Sequence, residues 1–119
     1  MSRSSGMKSV KQAAPLFAAL GEETRLRVVA RLCEEGPLSI ARLTEGTDVT
    51  RQAISKHLAV LHEAGLVHQQ KRGQHIIYSI AADHLANALY AFLTPFCPEA
   101  RKLSAERRKK RRDPEAQEQ

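Results

Sequence analysis

The sequence predicts a mainly α-helical fold with one small β-hairpin, and three observations support this fold class. Hydrophobic residues make up 42% of the 119 residues and aromatic residues only 4%, so the core must be aliphatic. Apolar residues recur with helical spacing in several segments. Two short stretches rich in β-branched residues flank a glycine. We therefore expect five or so helices and a two-stranded hairpin.

The basic charge of the chain is concentrated at its two ends. Residues 1–12 carry a net charge of +3 and residues 101–119 carry +4, whereas residues 13–100 carry −1. The overall charge of +6 is therefore weak evidence for a nucleic-acid-binding surface. The run Arg107–Arg112 either extends a helix along DNA phosphates or forms a solvated tail. The expected boundaries are a disordered tail over residues 1–9, one folded domain over residues 10–98 and a charged tail over residues 99–119.

The composition favours a cytoplasmic protein that is neither an enzyme nor bound to a cofactor or membrane. No apolar run approaches the roughly 18 residues needed to span a bilayer, and residues 1–10 lack the apolar core of a signal peptide. Two cysteines, Cys33 and Cys97, are too few for a secreted disulfide framework. The sequence shows no catalytic carboxylate pair, nucleophile constellation or phosphate-binding loop.

The first two helices are predicted from apolar spacing. One helical pattern leads to Leu20, and Pro15 suggests that its stable part begins nearby. Its apolar face is expected to contain Val10, Ala14 and Phe17. The second helix opens at Glu22, and its expected buried stripe consists of Leu26, Val29, Ala30 and Cys33.

A short helix, a turn and a longer helix follow. The short helix is expected over residues 39–44, Gly46 ends it, and Thr50 is the expected N-cap of the next helix. That helix runs from about Arg51 to Ala64 and buries Ile54, Leu58 and Leu61. Its opposite face presents Arg51, Gln52, Ser55, Lys56 and Ala59. Hydrogen-bonding side chains near the N-terminus of an exposed helix suit contacts with base edges in a major groove.

Two predicted strands, residues 66–71 and 75–80, enclose the turn Arg72-Gly73-Gln74. A basic hairpin tip can reach backbone phosphates or a minor groove. Together with the preceding helices, this hairpin predicts a winged helix-turn-helix that binds double-stranded DNA. A last helix is expected to begin near Asp83, a residue type that caps helices, and to end between Pro95 and Pro98. Its apolar stripe consists of Leu85, Leu89, Phe92, Leu93 and Phe96.

Three parts of the sequence resemble the ArsR/SmtB family: Leu16–Arg27 (LFAALGEETRLR), Thr50–Leu58 (TRQAISKHL) and Gly73 with Tyr78. The resemblance covers about residues 13–95 and implies a homodimeric repressor bound to operator DNA, often that of its own operon. The DNA-binding residues it implies are Thr50, Arg51, Gln52, Ser55, Lys56, His57, Lys71, Arg72, Gly73 and Gln74. Dimer contacts are implied for the first and last helices, at Phe17, Leu85, Leu89, Phe92, Leu93 and Phe96.

The metal sites typical of this family are missing from the sequence. Ser39 and Ala41 stand where arsenic and cadmium sensors have a cysteine pair, and no later histidine follows His84 on the last helix. We therefore expect no bound metal. The resemblance leaves open a thiol sensor for oxidants or persulfides that uses Cys33 and Cys97. Against this, Cys33 completes an apolar stripe and is favoured as a small core residue.

Three functions remain open on the sequence alone. The first is a sequence-specific, DNA-binding transcriptional regulator, the second is the same regulator controlled by its two thiols, and the third is a winged-helix module that binds protein or RNA. The polar residues on the exposed face of the longer helix favour DNA, because a protein-binding face would present a large apolar patch.

Overall fold

The structure, a computed structural model, describes residues 3–95 and 97–112. Within these ranges the chain forms six helices and three strands. They are α1 (Arg3–Leu20), α2 (Glu23–Glu35), β1 (Leu38–Ser39), α3 (Ile40–Thr44), α4 (Arg51–Glu63), β2 (Val67–Arg72), β3 (His75–Ile80), α5 (Ala82–Leu93) and α6 (Pro98–Arg112). The strands form one antiparallel sheet in the order β1-β3-β2. The predicted fold class is confirmed, with a third strand added to the expected hairpin.

The chain divides into two compact units. Residues 14–85 form the first, called here the winged-helix unit, which contains α2, α3, α4 and the sheet. The second, called the terminal unit, combines residues 1–13 with residues 86–119. This division does not coincide with the boundaries expected at residues 10 and 98. No helix in the described ranges has the length and apolar composition needed to cross a membrane.

The core of the winged-helix unit is centred on α4. Ile54, Leu58 and Leu61 are at most 2% exposed, as predicted from their spacing. They belong to a set of six almost fully buried large side chains, completed by Leu32, Leu43 and Leu66. Helix α4 packs against α2, α3 and β2. Burial of each such side chain contributes about 1.5–3 kcal/mol to folding, so this aliphatic cluster fixes the orientation of α4.

The buried stripe predicted for α2 is wrong. In α2 the buried residues are Val28, Val29 and Leu32, whereas Leu26 is 50% exposed and Ala30 and Cys33 are also exposed. The true buried face is therefore rotated from the predicted stripe and shares only Val29 with it. In α1 the buried residues are Ser9, Ala13, Leu16 and Ala19, whereas Val10, Ala14 and Phe17 are exposed.

Both chain ends contain more helix than was predicted. Helix α1 begins at Arg3 and continues through Pro15, so it includes most of the segment expected as a disordered tail. One physical reason is the burial of Ser9, whose hydroxyl donates a hydrogen bond to the Phe92 carbonyl oxygen at 2.8 Å. At the other end, residues 98–112 of the charged tail form α6.

The β-hairpin has the predicted position, but Arg72 belongs to β2 and not to the turn. Residue pairing runs from Val67 with Ile80 to Arg72 with His75, which leaves Gly73 and Gln74 as a two-residue turn. Gly73 has φ 62°, a value that suits the first central position of a type II′ turn. The added strand β1 pairs Leu38 with Tyr78 on the other side of β3. A two-residue strand is too short to produce a recognisable alternation in the sequence.

Helix α5 contains no buried residue, although its sequence is rich in apolar side chains. Leu85, Leu89 and Phe92 are partly exposed, and Leu93 is 36% exposed. Asp83, expected as the cap, lies instead in the first turn of this helix, where a carboxylate favourably faces the positive end of the helix dipole. Phe96, the last residue of the predicted stripe, lies outside the described residues.

Gly65 ends α4 with φ 78°, and a Cβ at this position would lie 3.0 Å from Nε2 of the exposed His84 ring. We expect Gly65→Ala to lower the free energy of unfolding by about 1–2 kcal/mol, because a positive φ is strained for alanine. Gly46→Ala is the matched control, since Gly46 has φ 74° with nothing within 4 Å of its added Cβ. Urea unfolding should give similar losses for the two variants. A loss at Gly65 that disappears in a His84→Ala background would show that the ring contact, and not the backbone, is the cause.

Candidate nucleic-acid interface

Helix α4 begins at a side-chain cap. The Thr50 hydroxyl oxygen accepts a hydrogen bond from the backbone N–H of Ala53 at 3.1 Å, which confirms the predicted N-cap. Such a cap contributes about 1 kcal/mol and defines the residue at which the helix starts. The cap and the buried stripe together determine which side chains point away from the core.

Four of the predicted site residues lie together on the exposed side of α4: Arg51, Gln52, Ser55 and Lys56. Among the residues that the structure describes, none of the four side chains takes part in a hydrogen bond or ion pair. Gln52 and Lys56 project directly away from the buried stripe, because each residue turns about 100° around the helix axis. This face offers two cations, an amide and a hydroxyl to a partner. Arginine can pair with guanine and glutamine with adenine, each through two hydrogen bonds.

His57 does not lie with these four residues. Its ring is partly buried, and Nδ1 lies 3.3 Å from Nη1 of Arg25 and 3.7 Å from Oε2 of Glu22. The side chain therefore faces the start of α2 and contributes to packing between helices. His57 was expected among the DNA-contacting residues, whereas in the structure its ring contacts Arg25 and Glu22 of the α2 start.

Arg25 joins three helices, a role that was not predicted from the sequence. From α2, its guanidinium donates hydrogen bonds to the carbonyl oxygens of Ala18 and Ala19 in the last turn of α1, and it also reaches His57 on α4. The last carbonyl oxygens of a helix have no partner within the helix. The predicted end of α1 before Gly21 was the available sequence signal, because the carbonyl oxygens at a helix end require a hydrogen-bond donor from elsewhere.

Glu22 is the N-cap of α2. Its carboxylate accepts a hydrogen bond from the backbone N–H of Arg25 at 2.9 Å. This bond, supported by the N–H of Thr24 and the charges of His57 and Arg25, lowers the pKa of the Glu22 carboxyl below its usual value of 4.5. Glu22 therefore caps α2 and also lies close to His57 of α4.

The four predicted wing residues, Lys71, Arg72, Gly73 and Gln74, are all exposed. Their position is held by pairing along the whole hairpin, while β1 attaches the far side of β3 to the residue that caps α3. That residue is Ser39, whose hydroxyl oxygen accepts from the backbone N–H of Arg42 at 3.3 Å. The sheet therefore connects the wing directly to the helix-turn-helix.

The two cysteines are both free thiols and lie in different units. Cys33 is exposed on α2, so its interpretation as a core residue is wrong. Cys97 is partly exposed, and its Sγ atom lies 3.7 Å from Oε2 of Glu99. Within residues 3–95 and 97–112, no cluster of three or more histidine, cysteine or acidic side chains is arranged to hold a metal ion.

The winged-helix unit thus combines a capped helix with a polar outer face, a short helix before it and a basic hairpin after it. This arrangement defines a winged helix-turn-helix DNA-binding protein. A family model described as a helix-turn-helix domain matches residues 20–70. The chain is also 35% identical over 91 residues to the HTH-type transcriptional regulator YgaV of Escherichia coli, a match that covers 76% of this chain and 91% of YgaV. The chain belongs to the ArsR family of transcriptional regulators.

Other matches agree with this family. The arsenic resistance transcriptional regulator ArsR1 of Pseudomonas putida is 34% identical over 65 residues, 55% of this chain, and the match spans about half of that relative, 51%. The structure of an ArsR-like transcriptional regulator from Rhodococcus sp. RHA1 gives a TM-score of 0.68 at 31% identity and covers 85% of this chain and 94% of its own. The homodimeric winged helix-turn-helix domain of Mb0332 from Mycobacterium bovis gives 0.59 at 26% identity, covering 66% and 71%.

The lowered pKa of Glu22 leads to a prediction about acid stability. A carboxyl whose pKa is lower in the folded chain stabilises the fold above its unfolded pKa, and this contribution is lost as the pH falls through the folded pKa. We expect Glu22→Gln, which keeps a capping oxygen but removes the charge, to lose less stability than wild type between pH 6 and pH 3. Urea unfolding across this range measures the difference. Glu34→Gln, on the same helix, is the control and should keep the wild-type pH dependence. If Glu22→Gln loses as much free energy of unfolding as wild type between pH 6 and pH 3, the role assigned to the Glu22 carboxylate is contradicted.

Proposed function

We propose that this chain represses transcription as a homodimer bound to a two-fold symmetric operator, with its own promoter as the first operator to test. The observation that carries the proposal is the exposed face of α4, where Arg51, Gln52, Ser55 and Lys56 project without partners in the described part of the chain. Base-specific contacts come from this helix, and phosphate contacts come from the wing through Lys71 and Arg72.

The homodimer is supported by α5. A helix this apolar with no buried residue leaves Leu89, Phe92 and Leu93 partly exposed to water. Contact with a second copy would remove this apolar surface from water. Phe17, which is 41% exposed on α1, is the second element proposed for the interface. The homodimeric state of the Mb0332 domain also supports a homodimer of this chain.

Thiol control is a second candidate, and the exposure of Cys33 favours it over the core role expected from the sequence. In this form of the function, Cys33 and Cys97 would together lose two protons and two electrons to an oxidant or polysulfide, and the new sulfur link would change the affinity for DNA. An exposed thiol is accessible to such a reagent, whereas a buried structural cysteine is inert.

The primary test is fluorescence anisotropy with the protein's own upstream DNA at physiological salt. We expect binding at least about a thousandfold tighter than to random duplex. Arg51→Ala/Gln52→Ala should reduce this preference by about 30-fold or more, since each of the two bidentate base contacts is worth about 1–3 kcal/mol. Arg27→Ala on α2, which removes the same charge from an exposed position, is the matched control and should keep the preference. Equal, weak binding to all sequences would favour a winged-helix module for protein or RNA instead.

The thiol candidate has its own test. We expect iodoacetamide to label Cys33 in the native dimer and an oxidant to weaken operator binding. Cys33→Ser/Cys97→Ser should bind operator as wild type does but ignore the oxidant, because it cannot form the sulfur link. Mass spectrometry locates the label and anisotropy measures the response. If neither cysteine is labelled and the double variant responds to oxidant as wild type does, thiol control is ruled out.

A further inference from the structure

The terminal unit contains a cleft that the proposed DNA contacts do not use. One wall is formed by α5 and the other by α6, and the volume is about 590 Å³. Its lining residues are Asn87, Tyr90, Ala91, Thr94, Arg101, Arg107 and Arg108. Asn87, Tyr90 and Ala91 of α5 share one face of that helix. Thr94 follows directly after α5 and continues the same i, i+3, i+4, i+7 spacing, since its backbone N–H bonds the Tyr90 carbonyl oxygen at 2.9 Å. Leu89, Phe92 and Leu93 lie on a different face, so the cleft and the proposed dimer contacts use separate surfaces of α5.

Arg107 is held in place from the α5 side. Its Nη1 donates a hydrogen bond to Oδ1 of Asn87 at 2.9 Å, and its guanidinium carbon lies 5.4 Å from the centre of the Tyr90 ring. A cation over an aromatic ring is attracted to the electron-rich face. These two contacts orient the guanidinium before any ligand arrives, which reduces the entropy lost on binding.

The cleft is cationic. Three arginines line it, and no carboxylate is among its lining residues in the described part of the chain. Within the same residues, neither Arg101 nor Arg108 forms an ion pair. The described range of α6 contains eight basic residues and two acidic ones, so the surroundings of the cleft add to the positive potential. Guanidinium groups bind carboxylates and phosphates through paired hydrogen bonds.

We propose that this cleft binds a small polyanion that carries two or more carboxylate or phosphate groups. The volume lies within the range of about 300–1,000 Å³ that is common for small-molecule sites. Arg101 and Arg108 bind the charged groups, and Arg107 provides an oriented third cation. The Thr94 hydroxyl and the Asn87 amide add polar contacts that fix the orientation of the ligand.

Isothermal titration of the full-length chain with citrate and with pyrophosphate, at constant ionic strength and without DNA, tests the proposal. We expect at least one of these probes to show a single saturable site per chain with a Kd at or below about 1 mM. Arg101→Ala/Arg108→Ala should weaken that binding at least about tenfold. Lys102→Ala/Lys109→Ala removes the same charge from the same helix at the same spacing but outside the cleft, and it should leave the Kd within about twofold.

The variant Asn87→Ala tests whether the orientation of Arg107 contributes to ligand binding, because it leaves the net charge of the chain unchanged. It removes the amide that orients the guanidinium and leaves every cation in place, so we expect a weakening of about threefold or more. Failure of both probes to saturate would overturn the proposal, as would equal weakening by the two double variants, which indicates diffuse attraction to a basic helix. Loss of DNA affinity in Arg101→Ala/Arg108→Ala without saturable binding of either probe would identify a phosphate-backbone surface instead. Because the titration contains no DNA, its failure leaves the proposed operator binding untouched.

Discussion

The burial of Ile54, Leu58 and Leu61 is the constraint on which the proposed interface depends. These side chains are at most 2% exposed, so α4 has one orientation in the winged-helix unit. Rotation of the helix by one residue would place a charged or polar side chain in the aliphatic core, at a cost of several kcal/mol. The outward direction of Gln52 and Lys56 is therefore a consequence of core packing. Core packing therefore fixes the helix backbone that would present these residues to DNA, whereas the unpartnered side chains keep their rotamer freedom until they bind.

Two further interactions connect α4 to its surroundings. Arg25 contacts the end of α1 and the His57 ring, so a displacement of α1 would break hydrogen bonds at the recognition helix. On the other side, β1 links the wing to the cap of α3 through the pairing of Leu38 with Tyr78. Helix, wing and α1 are therefore tied by specific hydrogen bonds in addition to apolar contact. Coupling between distant sites in a protein requires physical connections of this kind.

The sequence predicts best where one rule decides the outcome. The stripe and cap of α4 follow from helical periodicity and N-cap chemistry, and the hairpin turn follows from a glycine with positive φ. In α2, apolar residues occur on more than half of the helix circumference, and periodicity alone selected the stripe with Cys33 over the face with Leu32. The contacts of His57 with Glu22 and Arg25 were not predicted, because they are made across 35 and 32 positions of the chain and no local pattern reveals them. The start of α1 at Arg3 was not predicted, because the composition of residues 1–9 resembles a solvated tail.

The two units therefore contribute differently to the proposed function. The winged-helix unit orients its DNA-facing side chains with its own core, but one copy offers only four such residues on α4 and a short wing. Specific operators are bound with dissociation constants of about 10⁻⁸–10⁻¹¹ M, which so few contacts do not provide. A linked second copy turns binding of the second half-site into an intramolecular step and raises affinity without any new kind of contact. Helix α5, with no buried residue of its own, is the element whose apolar surface would provide that link. The stability of the α5 contact between copies, and not the recognition helix alone, would then set the affinity for DNA.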